Sequence, residues 1–262
     1  MSARIYDRRA STISRYCRLP ESPFLLSTIE IEAGHCHVWS FCLDQTQAML
    51  PELQETLSDE ERKRAAAFLV PAPRLQFIAT RGALRILLGR YLGIEPAACV
   101  FAATKFGKPF LVEPSADIHF NVTHAGNRAL IAIARSFEVG IDIEAHRALD
   151  DLAGLARMIL SVDDLLRWER LPETERAAAF YAIWTRKEAV AKAVGQGLSM
   201  DFPTLEVSFQ SSQAPSILRI DDQWGEPGNW TLASLDAAPG YSAALAARVS
   251  ALDISQKRFT FP

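Results

Sequence analysis

The chain has 262 residues, of which 49% are hydrophobic and 23% charged, with a net charge of −3 and an isoelectric point near 6.0. That is the balance of a globular protein with room for one large domain or two small ones. The charge argues against nucleic acid as a partner, and no apolar run approaches the roughly 20 residues that a membrane helix needs.

The opening stretch, MSARIYDRRASTISRYCRLPESPFLLS, carries basic residues but no continuous apolar core before a small-residue cleavage site. Residues 1–34 therefore read as an extension rather than a signal peptide. The four cysteines, Cys17, Cys36, Cys42 and Cys99, form no C-x-x-C pair, and their scatter suggests a reduced, cytoplasmic protein. HCHVWSFCL, from His35, alternates as a strand does, and no further ligand cluster follows it, which argues against zinc. A helix is predicted from Ser58, where SDEE supplies a cap and an acidic first turn. A second is predicted from Pro73 to Gly93, and short strands near 98–103, 117–123 and 128–134.

The order then recurs. EVGIDIEAH alternates Val139, Ile141 and Ile143 against Gly140, Asp142 and Glu144, which is strand periodicity. Helices are predicted near 151–158, 161–170 and 174–194, and strands near 204–210, 215–220, 229–235 and 241–248. Each half reads strand, helices, strands, and the closing strands NRALIAIA and YSAALAA look alike. The expectation is an α+β chain of two similar halves, 35–136 and 137–262, with the active site between them. A chain that supplies both halves of a site is expected to be a monomer.

Several residues invite chemistry. Asp142 and Glu144 project from one face of their strand, about 7 Å apart. Paired acids repel unless a cation sits between them, and otherwise such a pair simply faces water. In FYAIWTRKEAVAKAVGQGL the helix puts Trp184, Glu188 and Lys192 in one row, an aromatic, an acid and a base. The plain reading of that row is a surface Glu–Lys pair. Glu188 can instead supply a third oxygen to Mg²⁺, with Lys192 directed at phosphates. TKFGKPFL puts Lys105 and Lys108 in one turn, and HFNVTHAG offers Asn121, Thr123 and His124; together these can hold a phosphate ester, whereas taken alone His124 reads as a structural histidine and GKP as an ordinary turn. Arg74, Arg81 and Arg85 follow helical spacing, and Arg62, Lys63 and Arg64 end a helical turn. Most of these are expected to be solvated, one or two meeting an anion.

Taken in order, GKP (107–109), FNVTHAG (120–126), VGIDIE (139–144) and WTRKEAVAK (184–192) resemble the Sfp-type 4′-phosphopantetheinyl transferases. The looser upstream LSDEERKRAAAFLV…RGALRILLGRYLG (57–93) is also similar to that family. The resemblance spans residues 35–248. VGIDIE followed by WTRKEAVAK at this separation is its specific part, whereas GKP alone is not. It implies two similar α+β halves and transfer of phosphopantetheine from coenzyme A to a serine of an apo acyl or peptidyl carrier protein, leaving 3′,5′-ADP. By match, Asp142, Glu144 and Glu188 are Mg²⁺ ligands. Lys108, Asn121, Thr123, His124 and Lys192 match positions that hold coenzyme A phosphates or adenine, with Lys105 beside them in the same turn. Arg64 matches a basic position that meets the 3′-phosphate. The chain departs from the family at Glu61, where some relatives have a second basic residue, at Thr123, which replaces a serine and keeps its hydroxyl, and at Ala125, which does not.

Attack on a pyrophosphate is dominated by positioning and charge neutralisation. Glu188 is the candidate base, directly or through water, and Lys192 the group that stabilises the leaving phosphate. On this reading the charged stripe faces the site, while Trp184 and Tyr181 seat the helix in the core. Two other classes share these residues: a non-catalytic binder of coenzyme A or a carrier, and a Mg²⁺-dependent hydrolase of nucleotide pyrophosphates. Product analysis separates them. The family's carrier proteins are usually acidic.

Overall fold

The computed structural model describes residues 27–209 and 213–261. Cys17 and most of the expected extension lie outside the described residues. The end of that extension packs onto the first half: the Ile29 amide donates to the Arg90 carbonyl at 3.0 Å, and Ile31 is buried.

The first half runs β1 (His35–Cys42), α1 (Leu50–Glu55), α2 (Asp59–Ala66), α3 (Pro71–Leu92), β2 (Val100–Ala103), β3 (Pro109–Glu113), β4 (Ile118–Ala125) and β5 (Arg128–Arg135). The second runs β6 (Val139–Ala145), α4 (Leu152–Ile159), α5 (Val162–Glu169), α6 (Glu173–Ala193), β7 (Glu206–Val207), β8 (Ile217–Arg219), β9 (Thr231–Ser234), β10 (Tyr241–Ala247) and β11 (Asp253–Arg258). Both halves build an antiparallel sheet by the same rule. Leaving β11 aside, the first strand pairs with the last, and the last with the one before it: β1–β5–β4 and β6–β10–β9. Each adds a hairpin, β2–β3 and β7–β8.

Several features depart from the sequence expectations, beginning with α1 and β3, which were not expected. The strands near 204–210 and 215–220 shrink to Glu206–Val207 and Ile217–Arg219. β11 was not expected; it returns from the second half and pairs in parallel with β1, from His35 opposite Asp253 to Ser40 opposite Arg258. Its residues, DISQKR, carry little apolar alternation, so pairing with β1, not its own pattern, makes it a strand. Of the arginines expected to be mostly solvated, Arg81 and Arg85 are the two that meet an anion, the Glu61 carboxylate. Arg85 is fully buried, bonding Glu61 at 2.7 Å and the Pro96 and Cys99 carbonyls at 3.0 Å, and Arg81 lies 3.4 Å from Glu61. Glu61 also closes a capping box with Ser58, so one acid fixes the start of α2 and pairs with two arginines of α3, Arg81 and Arg85.

α3 begins at Pro71, two residues earlier than expected, because proline is tolerated in a helix's first turn. It ends as expected at Gly93, whose φ of 65° suits a C-terminal stop. One face of β1 and β5 is covered by α3, through Phe41, Ile131 and Ile133 against Ala83, Ile86 and Leu87. Their other face packs on β6 and β10, through Val38, Leu130, Ile141 and Leu245. α6 covers the remaining face of the second sheet. Each such aliphatic side chain contributes about 1.5–3 kcal/mol when fully buried. Among the described residues no helix is long and apolar enough to cross a membrane.

Candidate active site

The site forms where β4 of the first half meets β6 and α6 of the second. On β6 the aliphatic residues Val139, Ile141 and Ile143 turn into the core between the sheets. Gly140, Asp142 and Glu144 therefore turn to α6. Gly140 is what lets the two elements meet: a Cβ there would lie 2.0 Å from the Ala189 carbonyl and 2.3 Å from the Ala193 amide. α6 forms over Glu173–Ala193 from a run rich in Ala, Lys, Glu and Arg. Its row of Trp184, Glu188 and Lys192 lies along β6.

Lys192 Nζ donates to Asp142 Oδ1 at 2.5 Å, and the Thr123 hydroxyl donates to the same oxygen at 3.2 Å. The Trp184 indole donates to Glu144 Oε1 at 3.1 Å. Asp142 and Glu188 are buried and Glu144 is half-buried. Burial pushes the Glu188 carboxyl up to about 7; Lys192 opposes the rise, and the charges of Asp142 and Glu144 add to it. Burial likewise raises the Asp142 carboxyl, Lys192 pulls it back and Glu144 pushes it up. Although the ion pair is short, the net direction is upward, because a carboxyl so enclosed loses more hydration than one ammonium restores.

Asp142 Oδ2 and Glu188 Oε1 are buried without hydrogen-bond partners among the described residues. Two orphaned anionic oxygens beside a third carboxylate make an all-oxygen donor set, the chemistry of a hard dication such as Mg²⁺. The three acids are not already gathered around one point. Among the described residues no group of three His, Cys, Asp or Glu side chains is arranged to hold a metal ion, and the Lys192 ammonium sits on Asp142.

Of the sequence-predicted residues, Thr123, Asp142, Glu144, Glu188 and Lys192 thus come together. His124 borders them: partial enclosure of its ring, and then the Lys192 charge, lower its imidazole below the ordinary range. Asn121 lies on the same strand face as Thr123, and its Oδ1 accepts the Ile141 amide at 3.0 Å, which ties β4 to β6. Lys108 instead bridges the halves: it donates to Glu138 at 2.5 Å, to the Val139 carbonyl at 3.2 Å and to the Ala193 carbonyl at 3.4 Å. Lys105 is exposed, with Nζ 4.5 Å from the centre of the Phe106 ring. Arg64 stacks on Phe77 at 5.0 Å in a cleft of about 560 Å³ that Arg81, Phe101 and Gly107 also line.

Sequence reasoning missed the bond from Trp184 to Glu144, although the row of α6 pointed to it. It also missed the role of Lys187, which is fully buried and donates to the Ile159 carbonyl at 2.6 Å and the Phe202 carbonyl at 2.9 Å. Burial lowers its ammonium to about 8.

Comparison with known proteins adds an independent line. Residues 138–246 match the model of the 4′-phosphopantetheinyl transferase superfamily, and residues 39–136 match that of a 4′-phosphopantetheinyl transferase N-terminal region. The chain is 34% identical to the 4′-phosphopantetheinyl transferase HetI of Nostoc sp., over 79% of this chain and 85% of that protein. It is 27% identical to the 4′-phosphopantetheinyl transferase Sfp of Bacillus subtilis, over 74% of this chain and 89% of that one. A phosphopantetheinyl transferase of Thraustochytrium sp. is 27% identical over 74% of this chain and 70% of its own.

Proposed function

The chain belongs to the 4′-phosphopantetheinyl transferase superfamily, and from that premise we propose the reaction and the roles of its residues. It transfers 4′-phosphopantetheine from coenzyme A to a serine of an apo acyl or peptidyl carrier protein, with Mg²⁺, and releases 3′,5′-ADP. The observation that carries the reading is the cluster of Asp142, Glu144 and Glu188 against Lys192, in a chain with these relatives.

Asp142, Glu144 and Glu188 would hold Mg²⁺, which when bound offsets the charge of the pyrophosphate. The two orphaned oxygens support this. The serine hydroxyl attacks the phosphorus that bears pantetheine; a new O–P bond forms and the bond to 3′,5′-ADP breaks. Glu188 accepts the serine proton, directly or through water; burial lifts its carboxyl to about 7 in the metal-free protein, and a bound cation would lower it again. Lys192 leaves Asp142 for the departing phosphate and stabilises its growing charge. Thr123, His124 and Asn121 hold coenzyme A phosphates or adenine beside it. Lys105 and Lys108 contribute from their turn, Lys108 by giving up Glu138. Arg64 meets the 3′-phosphate in its own cleft. Because one chain supplies both sides of the site, we assign a monomer. We place it in the cytoplasm, with which the free thiols Cys36, Cys42 and Cys99 agree.

The test is product analysis with coenzyme A, Mg²⁺ and an apo carrier. Modified carrier and 3′,5′-ADP in equal amounts support the transferase. Hydrolysed coenzyme A with an unmodified carrier points to a pyrophosphate hydrolase, and bound but unchanged coenzyme A to a non-catalytic binder.

A further inference from the structure

Trp184 stands one turn before Glu188 in the row that reaches the acids. Its indole N–H meets Glu144 Oε1 at 3.1 Å. The ring is tilted against Phe202, with centroids 5.4 Å apart. The Phe202 carbonyl in turn accepts the buried Lys187 ammonium at 2.9 Å, and the same ammonium holds the Ile159 carbonyl at 2.6 Å. The indole is therefore backed by a segment that α6 itself pins, and its one polar group is turned to the acids. Of the three carboxylates, Asp142 is held by Lys192 and Thr123, and Glu188 stands on the rigid helix. Glu144 is the least enclosed, on a flexible stem whose rotamers are costly to order. An N–H fixed on one oxygen sets the direction of the other.

We propose that Trp184 is the positioning residue for Glu144: its indole holds Oε1 so that Oε2 is presented to the cation. This rests on the reading of Glu144 as a Mg²⁺ ligand. One rigid helix then supplies the base, the phosphate-binding lysine and the group that aims the acid of the neighbouring strand. A tryptophan is suited to this, because it joins a large packing surface to a single donor.

The test is a Mg²⁺ titration of the wild-type protein and Trp184→Phe, which keeps a ring against Phe202 and loses the donor. Two readouts are taken: transfer rate at saturating coenzyme A and carrier, and calorimetric Mg²⁺ binding with coenzyme A present and no carrier. Losing one hydrogen bond to a charged group should weaken Mg²⁺ about tenfold in both. The rate at saturating Mg²⁺ should stay within about twofold of wild type. An unchanged Mg²⁺ requirement in folded Trp184→Phe overturns the proposal, and so does a loss of rate that Mg²⁺ does not restore. If the wild type itself ignores both Mg²⁺ and EDTA, the ligand reading of Glu144 fails, a result distinct from the first. Should Trp184→Phe not fold, the indole N–H signals of wild type and Glu144→Gln decide by nitrogen NMR. The Trp184 signal should shift when the charge is removed, and an unaltered set of indole signals contradicts the proposal.

Discussion

Lys192 and Asp142 meet at 2.5 Å, ammonium to carboxylate, with Asp142 almost wholly buried and Lys192 partly open to solvent. The lysine is thus the counter-charge of an acid that burial penalises. Lys192→Met removes the charge and leaves the carboxylate alone in a dry site. Breaking such a pair costs about 3–5 kcal/mol. Urea unfolding of the metal-free protein should show that loss, and transfer should fall about 100-fold or more. Lys192→Arg should recover stability better than transfer, because a guanidinium can still pair with the Asp142 carboxylate but is bulkier than the compact ammonium that has to move from Asp142 to the phosphate.

Glu188→Gln should keep the fold and lose transfer by about 10²–10⁴-fold, the range of a missing general base. Single-turnover rates together with circular dichroism check this. Near-normal turnover would remove Glu188 from the role of base.

Gly140 permits the approach of β6 to α6 on which the site depends. In Gly140→Ala the new methyl would press on helix backbone at Ala189 and Ala193, which cannot move aside as a side chain can. Overpacking against backbone is expected to cost at least about 3 kcal/mol. Chemical unfolding should show that cost, and transfer should fall with it. A variant as stable as the wild type would mean that the strand and helix are not held this close.

The bridge between the halves gives a pH dependence with two signs. Burial alone would raise the Glu138 carboxyl, but hydrogen bonds and charge from His119 and Lys108 hold it down to about 2. His119 is raised in return, chiefly by its bond to Glu138. A lowered carboxyl stabilises the fold above its unfolded value of about 4.3, and that contribution is lost as pH falls through about 2. A raised imidazole stabilises below its unfolded value of about 6.5, and that contribution is lost as pH rises through its folded value. Glu138→Gln should therefore destabilise most near about pH 5.5, and less at about pH 2.5 and about pH 8.5. Urea midpoints at the three values check this; a pH-independent difference would contradict it.

Much of the fold was legible because apolar period and caps act locally. The alternation of VGIDIE and the Ser58 and Gly93 signals each fixed an element from its own residues. β11 was not legible, since its strand character comes from β1, more than 200 residues earlier in the chain. The acids and Lys192 could be grouped from helix and strand spacing. Local spacing does not tell which charges face inward, however. Arg85 and Lys187 looked like ordinary helix charges, yet each is buried on backbone carbonyls supplied by segments outside its own helix. The same holds for Lys108, whose partners Glu138 and the end of α6 only the folded chain brings within reach.

The measurement that bears most directly on the central claim is the intact mass of an apo carrier protein after incubation with coenzyme A and Mg²⁺. Wild-type protein, Asp142→Ala and an EDTA control are run side by side. A gain of one phosphopantetheine on the carrier serine is expected with the wild type and Mg²⁺, and none in either control. Fatty-acid, polyketide and peptide carriers that all stay unmodified, with a folded protein that binds coenzyme A, would contradict it.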